Sequence, residues 1–100
     1  MIIMRLPEIF ISLSEVKDLM GDKFQFFESI TSDNIFCANC TRDKGAIGMI
    51  IHKIYLSNLN DVIARGTCKE CGGKVARVME TGEDSDFHER AMEFRKTKKN

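Results

Sequence analysis

Cys37-Ala38-Asn39-Cys40 and Cys68-Lys69-Glu70-Cys71 contain all four cysteines of this 100-residue chain, and residues 41–67 lie between them. A Cys-x-x-Cys turn can aim two sulfurs at one point, and two such turns supply the four corners that tetrahedral zinc prefers. The pattern therefore predicts a fold in which the two turns meet around one ion. The predicted metal ligands are Cys37, Cys40, Cys68 and Cys71.

The first residues of the chain bear on how these cysteines are interpreted. The apolar run over residues 1–11 is interrupted by Arg5, Pro7 and Glu8, so we do not expect a signal peptide. No stretch approaches the roughly 18 apolar residues that span a bilayer, and we expect no membrane partner. We therefore predict a cytoplasmic protein. In a reducing compartment, paired Cys-x-x-Cys motifs indicate metal or redox chemistry rather than disulfides. Secretion would instead allow the four cysteines three disulfide connectivities.

Helix signals lie on both sides of the cysteines. Ser12 and Glu15 have capping-box spacing ahead of apolar residues at helical spacing, which predicts a short helix at about 12–20. Residues 84–86 offer capping side chains for a second helix over about 86–97. One stripe of this second helix is predicted to pack on the core, namely Phe87, Ala91 and Phe94.

The segments between the helix signals are expected to form strands and turns. Strands are predicted over 23–30, 46–56, 62–65 and 74–80, and turns over 31–34 and 57–61. The fold class is therefore α+β, with a short N-terminal helix, a small antiparallel β-sheet of three or four strands, and a C-terminal helix. We expect one small domain over residues 1–100, with both cysteine turns at strand ends.

The two cysteine turns resemble those of the zinc-ribbon class, including the rubredoxin-like knuckle group. The second turn is the better match, because Gly72 follows its last cysteine and lets backbone amides turn toward the sulfurs. The first turn departs from the pattern, since Thr41 stands where glycine is common. The resemblance covers about 34–80 and implies a structural metal site in a ribbon; it does not extend to the flanking helices.

Zinc is the predicted cofactor, because four thiolates complete its tetrahedron and leave no open position for water or substrate. Iron is the alternative, since the layout also resembles rubredoxins, which transfer electrons through iron held by four cysteines. Those proteins are acidic and rich in aromatic residues, whereas this chain has no tryptophan and one tyrosine, Tyr55. A chain without metal is the third possibility.

The net charge and the surroundings of the aromatic residues indicate whether nucleic acid is an expected partner. The net charge is zero, which does not favour nucleic acid, and an excess of basic residues over 37–82 can simply neutralise the thiolates. Four phenylalanines (Phe24, Phe26, Phe27 and Phe36) have mainly acidic neighbours, so we expect core packing rather than base stacking. A second hypothesis nevertheless assigns phosphate contacts to basic residues near the second turn, namely Arg65, Lys69, Lys74 and Arg77.

Motifs for catalysis are not apparent in the sequence. His52 lies in an apolar segment and His88 at the start of the last helix, and neither has a carboxylate or nucleophile at motif spacing. We expect a non-catalytic binding module without a small-molecule substrate, whose partner is most simply another protein.

Overall fold

The structure is a computed structural model that describes residues 6–35, 37, 40 and 47–98. Within these residues the chain has an α+β architecture, as predicted, with helices before and after the last three strands in sequence. The elements are β1 (Ile9–Ile11), α1 (Leu13–Met20), α2 (Phe24–Asp33), β2 (Met49–Leu56), β3 (Val62–Cys68), β4 (Lys74–Met79) and α3 (Ser85–Thr97).

Helix α1 begins at the predicted capping box. The Ser12 hydroxyl accepts a hydrogen bond from the Glu15 amide at 3.1 Å, and the Glu15 carboxylate accepts one from the Ser12 amide at 2.8 Å. These two bonds satisfy backbone donors that the first turn of a helix leaves unpaired. The helix ends at Gly21, whose φ is +56°. Its buried residues are Val16, Leu19 and Met20.

The strand predicted over 23–30 is wrong, because this segment forms α2 and the helix continues to Asp33 through the predicted turn. Phe27, Ile30 and Thr31 are buried at helical spacing, so packing of this stripe decides the local structure. The sequence concealed the stripe because exposed Phe26 adds an apolar residue outside it.

The predicted core role of the phenylalanines is confirmed for two of them. Phe27 is buried, and the Phe24 ring stacks on it with centroids 5.7 Å apart. Phe26 is an exception, since 65% of it is exposed. Phe36 lies outside the described residues.

The strands form one antiparallel sheet in the order β1-β2-β3-β4. The strands β2, β3 and β4 confirm three predicted strands, although β2 begins three residues later than expected. Strand β1 was not predicted, and it pairs with the far end of β2 through Ile9 with Leu56 and Ile11 with Ile54.

One face of the sheet packs on the helices. Sheet residues such as Leu56 and Ala64 and helix residues such as Val16, Phe27 and Ala91 belong to one buried cluster. The other face, which we call the open face, carries exposed Phe10, Ile50 and Val78. None of the helices in the described ranges is long and apolar enough to cross a membrane.

Helix α3 starts with Asp84, one of the three predicted caps, whose carboxylate accepts hydrogen bonds from the amides of Asp86 and Phe87. Its predicted stripe is confirmed, because Phe87 and Ala91 are buried and Phe94 packs on the core. The helix is tied to the β2–β3 turn through buried Asn60, whose Oδ1 accepts from Arg95 Nε at 2.7 Å. The extent of the domain, predicted as 1–100, stays a prediction.

Candidate metal centre

The second cysteine turn joins β3 to β4 and points backbone amides at both of its sulfurs. The Glu70 amide donates to Cys68 Sγ at 3.3 Å, and the Gly73 amide donates to Cys71 Sγ at 3.4 Å. Gly72 has a φ of +75°, a left-handed conformation that side chains disfavour. The glycine therefore does what the sequence predicted, since it lets the chain reverse with its N–H groups toward sulfur.

The first cysteine turn lies between two paired isoleucines. Ile35 and Ile47 form an antiparallel bridge, with N–H to O distances of 2.8 and 3.0 Å. Inside this bridge the Cys40 amide donates to the Cys37 carbonyl at 3.0 Å, which closes the turn. Thr41, where the first turn departs from the zinc-ribbon pattern, lies outside the described residues.

Gly48 fixes the position of the second turn beside α2 and the start of β2. Its carbonyl accepts a hydrogen bond from the Lys69 amide at 3.1 Å. A Cβ on Gly48 would stand 2.3 Å from the backbone oxygen of Ser32 at the end of α2, a distance that no side chain tolerates. The close approach of three backbone segments therefore requires glycine at position 48.

These contacts bring the four predicted ligands together. All four Sγ atoms lie within 4.8 Å of one another, with Cys37 to Cys71 at 3.6 Å and Cys40 to Cys68 at 3.8 Å. None of the four cysteines is in a disulfide, and these two distances far exceed the roughly 2.05 Å of an S–S bond. Both short contacts join one turn to the other, so the cluster depends on the whole fold.

The spacing of the sulfurs fits a tetrahedral metal ion. With metal–sulfur bonds of about 2.3 Å, the edge of a regular tetrahedron is about 3.8 Å. The two closest pairs match that edge, and the largest separation of 4.8 Å needs only a small contraction of the cluster. Zinc and iron both accept four thiolates in this geometry, so the distances support a metal site without choosing between the two.

Burial differs around the cluster. Cys37, Cys68 and Cys40 are 2%, 1% and 9% exposed, whereas Cys71 is at the surface. Burial raises the pKa of the Cys40 thiol to about 12, because the thiolate is costly away from water. The hydrogen bond from the Gly73 amide lowers the pKa of Cys71 to about 7. Cys71 is thus the exposed member of the cluster and also a thiol whose pKa is lowered.

The predicted phosphate-binding residues do not share one surface. Arg65 and Lys74 lie on the open face, because they pair across the strands with Ala76 and Thr67. Arg77 lies on the opposite face, next to the helices, and lines a groove with Met20 and Ile30. Lys69 lies in the second cysteine turn. A nucleic-acid role for this set of four stays a prediction.

Both histidines have hydrogen-bonding neighbours. His52 Nε2 is 3.2 Å from the Thr67 hydroxyl, and His88 Nδ1 is 3.2 Å from Asn60 Nδ2. Each ring therefore has one hydrogen-bonding contact. The absence of a catalytic role stays a prediction.

Two aromatic residues of the open face, exposed Phe10 and half-buried Tyr55, were missed from the sequence. Phe10 and Tyr55 are cross-strand neighbours with ring centroids 4.6 Å apart. Local alternation was available as a signal, because Ile9 and Ile11 are buried on either side of exposed Phe10. The pairing itself joins distant segments and cannot be read from local pattern.

Comparisons of the chain with known protein families, with curated protein sequences and with solved structures found no match. The resemblance to zinc ribbons therefore rests on the two cysteine pairs and on the clustering of their sulfurs.

Proposed function

We propose that this protein is a zinc-stabilised binding module of the zinc-ribbon type, in which one Zn²⁺ is held by Cys37, Cys40, Cys68 and Cys71. The observation that carries the proposal is the approach of all four sulfurs to within 4.8 Å. Four thiolates saturate tetrahedral zinc, so the ion has a structural role and takes no part in catalysis. The thiols need a reducing compartment, for which the cytoplasm is the simplest candidate.

The contribution of the ion is to folding. Structural zinc supplies on the order of 10 kcal/mol or more of binding free energy at neutral pH, and this free energy adds to the stability of the folded chain. The ligands come from both sides of β2 and β3 in sequence, so the ion clamps the first turn onto the β3–β4 hairpin. We expect metal loss to loosen this region more than the helices.

The choice of zinc over iron rests on composition. The chain has no tryptophan, one tyrosine and a net charge of zero, unlike the acidic and aromatic rubredoxins. An absorption spectrum separates the two, since an iron site with four thiolates gives a coloured protein and a zinc site a colourless one.

The partner is part of the proposal. The saturated site and the lack of recognisable reaction motifs in the sequence favour a module that acts by binding through its surface. The sequence favours a protein over nucleic acid as the partner. Nucleic acid is the second candidate, because basic residues such as Lys53 and Arg65 share the open face with the Phe10–Tyr55 aromatic pair.

The test compares Cys68→Ser with Thr67→Ser, a conservative change at the adjacent residue of β3. Wild type and Thr67→Ser are expected to contain one zinc per chain by elemental analysis, and Cys68→Ser to lose the zinc and to unfold at a lower temperature. A Cys68→Ser protein that keeps stoichiometric zinc and full thermal stability would contradict the ligand assignment. Stoichiometric iron in wild type would replace zinc with the electron-carrier alternative.

A further inference from the structure

The four strands contain no aspartate or glutamate. Three basic residues, in contrast, lie on the open face, namely Lys53, Arg65 and Lys74. Lys53 pairs across the strands with Arg65, and Lys74 pairs with Thr67, which stands two residues further along β3. The open face is therefore locally cationic, although the chain as a whole has no net charge.

An aromatic pair lies at one end of this face. The Phe10 and Tyr55 rings are 4.6 Å apart and tilted by 38°, and Phe10 is 57% exposed. The Arg65 guanidinium lies 4.8 Å from the Tyr55 ring centroid, and Lys53 Nζ lies 5.5 Å from that of Phe10. Rings and cations thus form one continuous surface.

A shallow cleft of about 540 Å³ continues the surface across β2, β3 and β4. All three basic residues line it, together with His52 and the Thr67 hydroxyl. The wall of the cleft is mainly apolar, basic side chains are among its lining residues, and no carboxylate lines it, which suits a ligand that has both anionic and flat apolar parts.

Sheet stability alone does not account for the composition of this face. A cross-strand aromatic pair contributes roughly 0.2–1 kcal/mol, and the solvent face of an antiparallel sheet is ordinarily polar. Here the face also exposes Ile50 and Val78, each of them more than half accessible. Apolar, aromatic and basic side chains without acidic ones match a surface that packs against bases and phosphates.

We propose that the open face binds a single-stranded nucleic acid, with bases stacked on Phe10 and Tyr55 and phosphates held by Lys53, Arg65 and Lys74. A single strand is the ligand because its bases expose their flat faces. Aromatic side chains stack on these faces regardless of which base is present. A duplex buries those faces, and its major groove is read by an inserted helix or a narrow two-stranded ribbon rather than by a sheet face. The proposal rests on the proposed function only in that the metal centre holds the ends of β3 and β4.

The binding experiment uses the zinc-loaded chain and a fluorescent oligothymidine of about 12 nucleotides, a length within the range that one such surface occupies. Three phosphate contacts give a slope of about −2 for log affinity against log salt, so raising salt from about 50 to 200 mM should weaken binding about 20-fold. A duplex of the same length should bind at least about 10-fold more weakly.

Matched variants separate the two kinds of contact. Phe10→Ala should weaken binding about 5-fold or more, whereas Phe26→Ala, which removes an exposed phenylalanine from α2, should leave it unchanged. Replacing Lys53, Arg65 and Lys74 with glutamine should abolish the salt dependence, whereas Lys96→Gln on α3 should retain it. Thermal unfolding of each variant verifies that it is folded.

Three outcomes would overturn the proposal: no binding of any single strand at about 50 mM salt, equal binding of the duplex, or a wild-type dimer that Phe10→Ala converts to monomer. The last outcome would assign the face to a second copy of the chain. Zinc content is measured on the same samples. A zinc-loaded protein that fails to bind the oligonucleotide refutes the open-face proposal alone. A reduced protein that cannot be loaded with zinc but still binds the oligonucleotide refutes the metal centre alone.

Discussion

Replacing Gly72 with alanine is expected to weaken metal binding while leaving the fold intact. Gly72 has a φ of +75°, and an added Cβ would meet nothing within 4 Å, so the change introduces backbone strain without a collision. A non-glycine residue in the left-handed region costs roughly 1–2 kcal/mol. The turn is exposed, so the metal-free chain can relax this strain, whereas the metal-bound turn must keep both N–H to sulfur contacts.

The strain should therefore appear in the zinc affinity, as a loss of roughly 5- to 30-fold. The assay is competition for zinc with a chromogenic chelator, with urea unfolding of the zinc form as the stability measurement. Gly72→Asn should recover most of the affinity, because asparagine tolerates the left-handed region better than alanine.

Gly21→Ala supplies the control. Gly21 also has a positive φ, +56°, and open space for a Cβ, but it ends α1 and has no contact with the cysteines. Its ψ of −125° lies outside the left-handed helical region, so alanine there should lower the free energy of unfolding at least as much, and it should leave zinc affinity unchanged. Equal zinc affinity in wild type and Gly72→Ala would refute the assignment of Gly72 to the metal-holding turn.

Two further changes test the packing and the electrostatics of the fold. Asn60→Ala should lower the free energy of unfolding by about 3 kcal/mol in urea titrations, because Arg95 loses its buried acceptor and alanine is strained at φ +61°. Asn60→Gly loses the same acceptor without the strain and should cost about 1 kcal/mol less. Equal losses in the two variants would contradict the contribution of backbone strain. The Lys23 ammonium and the Phe87 amide hold the pKa of Asp84 below 3.8, so its stabilising charge is present above that pH and lost as the pH falls through the lowered pKa. Asp84→Asn, which keeps a capping oxygen, should therefore be less stable than wild type at pH 7 and equal to it in strong acid; a difference that persists in acid would contradict the account.

What the sequence predicted well was local. Ser12 and Glu15 make a capping box within a single turn, and Gly72 acts on the two residues beside it, so their spacing contains most of the information. The cluster of four sulfurs could be predicted because cysteine chemistry admits few arrangements. The burial of the cluster and the close backbone contact at Gly48 could not be predicted, since both depend on how α2 packs against β2.

What the sequence concealed depends on contacts between distant segments. The α2 segment was predicted as a strand because exposed Phe26 hides the buried helical stripe that contains Phe27. Strand β1 has only three residues and becomes a strand by pairing with the end of β2. The open face follows from the same pairing, which brings Phe10 beside Tyr55 although 44 residues lie between them in the sequence.

X-ray absorption at the metal edge of the purified protein measures the ligands of the bound ion most directly. The account predicts one zinc per chain with four sulfur neighbours at about 2.3 Å and no nitrogen or oxygen neighbour. A zinc ion with fewer than four sulfurs, or reduced protein that binds no metal when zinc is supplied, would contradict the claim that these four cysteines form a closed structural site.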